Sequence, residues 1–262
     1  MKHQSSASKL FLIFQVSVVC LLLLTNTASA QLTAKANHDH ITVDFFYHGS
    51  TVSVRGISDP DTDLIIKLTS ADGHQTLRKK GKVGGVLWMN VGELQIEDAP
   101  NVYFLHSTRS VEDILSRDEI NKFILGYPAL GSHVKMNASD GGEKATWFNE
   151  FVKFKESSNL YATSTGKISM TEKNGVQNYY ILTQWPYQAP PGSYTVTVYA
   201  VKDKKVVETA TSGVLVEQVG GVKSFADMAK NNAAVYGIIS ILAALSAGFG
   251  VGLVFRKSGG AH

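Results

Sequence analysis

The stretch VQNYYILTQWPYQAPPGSYTVTVYA, residues 176–200, decides the fold class of this chain. It places two segments rich in β-branched and aromatic residues on either side of a turn at Pro191-Gly192. In the second segment Tyr194, Val196 and Val198 alternate with polar residues, which is the pattern of a half-buried β-strand. A turn is predicted at Asn174-Gly175, directly before this stretch. After it, the strand pattern continues in KVVETA (205–210) and VLVEQV (214–219).

The N-terminal half repeats the pattern with about ten residues per strand. We predict a hairpin from ITVDFFY (41–47) and TVSVRG (51–56), and a turn at Asp72-Gly73 between DLIIKL (63–68) and QTLRK (75–79). VLWMNV (86–91), ELQIE (93–97) and VYFLH (102–106) follow. Short strands at this spacing are typical of a β-sandwich, and we expect an immunoglobulin-like sandwich-type domain over residues 31–221.

The middle of the chain changes character. Ser110 with Asp113 three residues later resembles a helix start, and Phe148, Phe151 and Val152 recur at helical spacing. We predict helices near 110–125 and 143–157, separated by a loop at 131–142. The predicted fold class is therefore mainly β with a helical insertion, followed by one C-terminal transmembrane helix.

Residues 1–30 have the composition of an export signal. A positive start is followed by the apolar run 10–24 and by Ala28-Ser29-Ala30, which predicts cleavage before Gln31. An uncleaved anchor is the alternative, but it would not require the Ala-x-Ala sequence. Cys20, the single cysteine, lies inside this segment, so the exported chain would contain no disulfide and no thiolate ligand.

The C-terminal segment Ala233–Phe255 has no charged residue over 23 positions. A helix of this length spans a hydrocarbon core of about 30 Å. Arg256 and Lys257 follow directly, so the tail 256–262 is predicted to be cytoplasmic and the β-rich domain to lie on the other side. Residues 222–232 predict a short amphipathic juxtamembrane helix. A buried core helix is the alternative, but such a helix is rarely uncharged for so long.

Charge and motifs restrict the function. The formal net charge of +3 and the absence of a long basic run argue against a nucleic-acid partner. We find no G-x-S-x-G motif and no P-loop ahead of the span, so we predict a protein that is not an enzyme and requires no cofactor. His38, Asp39 and His40 are a candidate metal site, although alternate residues of an extended tail point in opposite directions, and a solvated tail is the alternative.

The C-terminal half resembles a known family. Trp185-Pro186, Ala189-Pro190-Pro191-Gly192-Ser193-Tyr194, VVETATSGVLVEQVG and AVYGIISILAALSAGFG are similar to segments of the alphaproteobacterial-type putative transmembrane proteins. The resemblance implies an exported domain on a single span in the bacterial inner membrane, with the domain in the periplasm. It also implies a neighbouring membrane partner, a multi-span permease similar to sulfite exporters. The resemblance to this family implies no catalytic residues.

Small residues recur along the apolar segment at Ser240, Ala244, Gly248 and Gly252. In lipid, close backbone approach drives helices together, so this stripe is a candidate packing face for a membrane-protein partner or for a second copy of the chain. Simple tolerance of small residues is the alternative explanation. We therefore expect a membrane-anchored periplasmic accessory protein. The second hypothesis is a periplasmic module that binds a solute or a metal for a transporter.

Overall fold

Three β-sheets and six helices form the described part of the chain. The computed structural model describes residues 31–139, 141, 143–173 and 175–256. The predicted signal 1–30 and the residues from Lys257 onward lie outside these ranges. In chain order the strands are β1 (Lys35–Ala36), β2 (His40–Val43), β3 (Ser50–Ser58), β4 (Asp63–Ser70), β5 (Asp72–Val83), β6 (Leu87–Pro100), β7 (Tyr103–Ser107), β8 (Lys135–Ala138), β9 (Tyr161–Thr165), β10 (Ser169–Lys173), β11 (Val176–Trp185), β12 (Gly192–Lys202) and β13 (Lys205–Gln218).

The helices lie in two groups. The first group falls between β7 and β9, and the second follows β13 to the end of the described chain. In chain order they are α1 (Val111–Ile114), α2 (Arg117–Phe123), α3 (Tyr127–His133), α4 (Lys144–Ser157), α5 (Gly220–Asn231) and α6 (Ala233–Arg256). The mainly β class, the helical insertion and the apolar C-terminal helix are thus confirmed.

Six strands make the largest sheet, in the order β2-β13-β12-β4-β7-β9. The β12–β13 hairpin and the antiparallel pairs of β4 with β12 and with β7 form its centre. The outer pairs, β13 with β2 and β7 with β9, are parallel. A parallel pair needs a long crossover connection, and the helical insertion supplies it between β7 and β9.

A four-stranded sheet in the order β1-β3-β11-β10 packs against one face of the six-stranded sheet. Val54 of β3 lies opposite Ile181 of β11, and both are buried in one core with Ile66 and Val198 of the larger sheet. Side chains of a strand alternate between the two faces of its sheet. This common core explains why the alternating sequences at 51–56 and 194–198 form strands with one buried face.

The first group of helices, α1–α4, covers the other face of the six-stranded sheet. Ile65 and Tyr199 are cross-strand partners on that face, and the Tyr199 ring lies 5.1 Å from the ring of Phe123 in α2. The Tyr103 hydroxyl on β7 donates a hydrogen bond to the Ile124 carbonyl at 3.0 Å. Strands β4 and β7 are therefore buried on both faces, and this explains their continuous apolar runs LII (64–66) and VYFL (102–105).

Strand pairing differs from the sequence-based prediction in the N-terminal half. The predicted hairpin of 41–47 with 51–56 does not form, because β2 pairs with β13 while β3 pairs with β1 and β11. Likewise the turn predicted at Asp72-Gly73 is not found there, because these residues are the first two of β5, which pairs with β6, while β4 pairs with β12 and β7. Both differences have one cause: these consecutive strands belong to different sheets, although consecutive strands usually pair.

Two boundaries also differ. The loop predicted at 131–142 contains the end of α3 and the strand β8, which pairs with β6. The boundary predicted after 221 falls inside α5, since this helix begins at Gly220. A Cβ at position 221 would collide with the Phe45 ring, so the glycine permits the helix to approach the β domain.

Candidate functional site

A cavity of about 880 Å³ opens where the two large sheets meet at one end. Its walls come from β7, β9, β11 and the segment that leads into β3. Apolar side chains of Phe104, Ile181 and Trp185 line it beside polar groups of His48, His106 and Lys167. The residues that line the cavity include one lysine and two histidines and no carboxylate. This composition suits a small polar or anionic solute.

His106 is the central polar group of this cavity. The apolar strand β7 carries it into the core, where only 7% of its surface is exposed. Its Nδ1 lies 2.6 Å from Ser164 Oγ of β9, and its Nε2 lies 3.1 Å from Thr183 Oγ1 of β11. Because β9 and β11 belong to different sheets, the imidazole joins the two sheets through hydrogen bonds.

The protonation of His106 follows from its burial. Burial, and then the charge of Lys167, lowers the pKa of His106 to about 4. The ring is therefore neutral at pH 7, so one nitrogen donates a hydrogen bond and the other accepts one. Both ring nitrogens face hydroxyl groups, so the one donor and the one acceptor of the neutral imidazole are used by Ser164 and Thr183.

A second buried group, Lys155, lies near the helical layer. Its side chain extends from α4, and Nζ lies 3.4 Å from the Asn101 carbonyl oxygen and 5.6 Å from the Tyr161 ring centroid. Burial lowers the pKa of this ammonium to about 8. The carbonyl and the aromatic faces replace only part of its hydration, so the group is costly to keep charged.

Asp39 and His40 of the predicted metal site each contact β13. His40 begins β2, where its Nε2 lies 3.4 Å from Glu217 Oε2 of β13. Asp39 precedes the strand and accepts a backbone hydrogen bond from Leu215 through its carbonyl. Over the described residues, no group of three or more His, Cys, Asp or Glu side chains is placed to hold a metal ion. His38, Asp39 and His40 are not brought together into a ligand set.

The helix α6 carries the predicted packing stripe. Within the described residues it is the one helix long and apolar enough to cross a membrane, and its span Ala233–Leu253 has no buried residue. A Cβ at Gly248 or Gly252 would meet no atom within 4 Å. The Ser240 hydroxyl donates to the Tyr236 carbonyl inside the helix at 2.8 Å. No contact within the described chain therefore requires these positions to be small.

The two basic residues that predict the membrane orientation, Arg256 and Lys257, lie at the end of this helix. Arg256 is its last described residue, and Lys257 lies outside the described ranges. The orientation that they predict, with the C-terminus in the cytoplasm, stays a prediction based on the sequence.

Sequence reasoning missed the cavity. His106 was one of several scattered histidines, and only the tertiary fold brings it to Ser164 and Thr183, 58 and 77 residues away. One signal was present, because a titratable residue closes the otherwise apolar run VYFLH. A polar residue in a fully buried strand needs a hydrogen-bond partner, so this histidine was a candidate for a buried network.

A β-rich domain with a cavity is followed by one exposed apolar helix, and together they define a class: a β domain joined to one membrane-capable helix. Residues 31–257 match the family described as "Putative transmembrane protein (Alph_Pro_TM)". The match covers most of the chain, so the chain belongs to this family, as the sequence motifs predicted. A comparison with the curated proteins gives no significant match.

Proposed function

We propose that this chain is a non-catalytic accessory protein of the bacterial inner membrane. Its β-rich domain lies in the periplasm after removal of residues 1–30, and α6 anchors it in the bilayer with Arg256 and Lys257 on the cytoplasmic side. The observation that carries the proposal is α6 itself, whose apolar span Ala233–Leu253 is not covered by the rest of the described chain. At about 1.5 Å per residue, its 21 residues match a hydrocarbon core of about 30 Å.

The stripe on α6 supplies the proposed contact with a partner. Ser240, Ala244, Gly248 and Gly252 follow one face of the helix, and the glycines have no packing role inside the described chain. A smooth face permits close approach of a second helix, which is the main source of helix association in lipid. The proposed partner is another membrane protein, such as a permease similar to sulfite exporters.

A paired variant tests the stripe. Gly248→Leu adds bulk to the stripe, whereas Ser246→Leu adds comparable bulk on the opposite side of the same helix. Both positions are exposed in the structure, and the Ser246 hydroxyl bonds only to the Leu242 carbonyl inside the helix. After crosslinking in native membranes, we expect Gly248→Leu to lose a partner band that Ser246→Leu retains. A partner that survives both substitutions would contradict the role of the stripe.

The cavity favours a second candidate function, a periplasmic solute-binding module that serves a transporter. Its lining combines Lys167 and two histidines with apolar walls and includes no carboxylate. We expect a small organic anion to raise the thermal midpoint of the detergent-solubilised chain, and Lys167→Gln to reduce that shift. Lys173→Gln, on the exposed strand β10, is the matched control. If no member of a broad panel of organic anions shifts the midpoint, this candidate is rejected.

A further inference from the structure

The hairpin of β5 and β6 extends beyond the sheet that supports its base. Strand β8 pairs with β6 only from Leu94 to Glu97, where Leu94 and Ile96 are buried. Farther out, β5 and β6 pair only with each other, as far as the Gly84-Gly85 turn. Leu87 lies about 24 Å from Leu94 along an extended strand. We name residues 79–91 the hairpin tip.

The hairpin tip exposes an unusual amount of apolar surface. Val86 is 86% exposed, Trp88 64% and Leu87 59%, and three further apolar side chains nearby are also exposed, namely Val83, Met89 and Val91. Clusters of exposed apolar side chains mark contact surfaces, because their hydration is unfavourable. No part of the described chain covers these side chains.

The register gives the hairpin tip two different faces. Val83 lies opposite Leu87 and Gly81 opposite Met89, and cross-strand partners project to the same face. A Cβ on Gly81 would lie 2.7 Å from a methyl of Val91, so Val91 belongs to this face too. From Gly81 to Val91 this face is therefore entirely apolar, whereas Lys79, at the base of the tip, lies 4.8 Å from the ring centroid of Trp147 in α4. The other face carries Lys80 and Lys82, with Trp88 paired opposite Lys82.

The charge of the hairpin tip has one sign. Lys79, Lys80 and Lys82 lie within it, and the sequence contains no Asp or Glu from 79 to 92. Lys82 Nζ lies 5.5 Å from the centroid of the Trp88 ring. Lysine and tryptophan on one face and apolar residues on the other form a composition typical of segments that bind the interface of an anionic bilayer.

We propose that the hairpin tip inserts its apolar face into the interface of an anionic lipid bilayer. Lys80 and Lys82 then lie at the level of the lipid phosphates, and the Trp88 ring lies between the headgroups and the upper acyl chains. The proposal rests on the anchoring function proposed for α6, since this helix keeps the domain at the bilayer and raises the effective concentration of lipid around it. The hairpin tip becomes a second membrane attachment of the same chain.

Quenching of Trp88 fluorescence tests the insertion. The full chain is reconstituted into vesicles of phosphatidylglycerol and phosphatidylcholine, with and without brominated acyl chains. Subtracting the emission of Trp88→Phe from that of the wild type isolates Trp88 from Trp147 and Trp185. We expect bromination to reduce the Trp88 emission about two-fold in anionic vesicles, because interfacial tryptophan lies near the upper acyl chains. In vesicles of phosphatidylcholine alone, the loss should be smaller.

Two variants separate the contributions of charge and apolar surface. Lys80→Gln with Lys82→Gln should reduce the quenching in anionic vesicles to the level found in zwitterionic vesicles. Leu87→Ser should also reduce it, while Val207→Ser, an exposed valine on β13, should leave it unchanged.

Each contrary result has a distinct meaning. If the chain floats with the vesicles but Trp88 is not quenched, the insertion is refuted and the anchoring by α6 stands. Equal quenching in anionic and zwitterionic vesicles would refute recognition of anionic lipid. If the chain fails to float with the vesicles at all, the anchoring by α6 is refuted, and the insertion that rests on it falls too.

Discussion

His106 shows how one residue links the two large sheets. Its ring bridges Ser164 on β9 and Thr183 on β11, and its burial makes the charged form unfavourable. Replacing it therefore affects both a hydrogen-bond network and the pH dependence of stability. The loss of hydrogen bonds lowers stability at every pH, so only the change in pH dependence reports the titration of this ring.

We predict that His106 makes the protein less stable in acid. Its pKa is about 4 in the folded chain and about 6.5 in an unfolded chain, so the unfolded state binds more protons between these values. The stability that the neutral, buried His106 ring contributes is fully present above pH 6.5 and is lost as the pH falls towards 4. Between pH 7.5 and pH 5 we expect a loss of about 2 kcal/mol in the free energy of unfolding.

Chemical denaturation of the detergent-solubilised chain across this pH range measures the effect. His106→Gln should be less stable than the wild type at pH 7 by about 1–3 kcal/mol, because it disturbs two buried hydrogen bonds. Its stability should fall less steeply below pH 6.5. His74→Gln replaces an exposed histidine and should retain the wild-type slope. An unchanged slope in His106→Gln would contradict the assignment.

At the scale of elements, α4 depends on its buried side for attachment to the sheets. Phe148, Phe151, Val152 and Lys155 face inward, as their helical spacing predicts. The Phe151 ring lies 5.6 Å from that of Tyr161 in an edge-to-face arrangement. Phe154, on the same helix, is half exposed. The two phenylalanines therefore provide a matched pair.

We expect Phe151→Ala to lower the free energy of unfolding by about 3–5 kcal/mol, because it leaves a cavity between α4 and β9. Phe154→Ala should change it by no more than about 0.5 kcal/mol. Denaturant titration measures the free energy of unfolding of both variants. An unchanged m-value shows that the surface exposed on unfolding is the same. Equal losses in the two variants would show that α4 packs differently from this structure.

At the scale of the whole molecule, the core and the membrane helix make separate contributions. Among the side chains that the structure describes between Gly220 and Phe255, none is buried. The last core residue is Val216 on β13. Folding of the β domain and attachment to the membrane should therefore be separable.

A chain that ends at Asn232 tests this separation. It retains α5 and its contact between Phe45 and Phe225, whose ring centroids are 6.1 Å apart, but lacks α6. We expect its thermal midpoint to lie within about 2 °C of that of the full chain, because no core contact is removed. It should also leave the membrane fraction. Failure to fold would show that α6 contributes to the stability of the domain.

Features that depend on neighbouring residues were predictable from the sequence. Strands were identified by alternation, as at 194–198, and α4 by helical spacing at 148–152. The apolar anchor was identified by the uncharged run 233–255. Each of these signals lies within one element. The β12–β13 hairpin was also predictable, since its strands are joined by a short turn at 203–204. The family was recognisable for the same reason, from contiguous motifs.

The pairing of strands and the meeting of distant side chains became visible in the three-dimensional fold. β2 lies beside β13, more than 160 residues later, and no local pattern specifies that neighbour. Pairing of β7 with β9 brings His106 to Ser164, and packing of the two large sheets brings it to Thr183 beside the cavity. The base of the long hairpin is likewise fixed by β8, which the sequence left in a loop. These contacts form because the apolar faces of all the strands and helices are buried in one core. The periodicity of one segment shows which of its faces is apolar, but not which other segment covers that face.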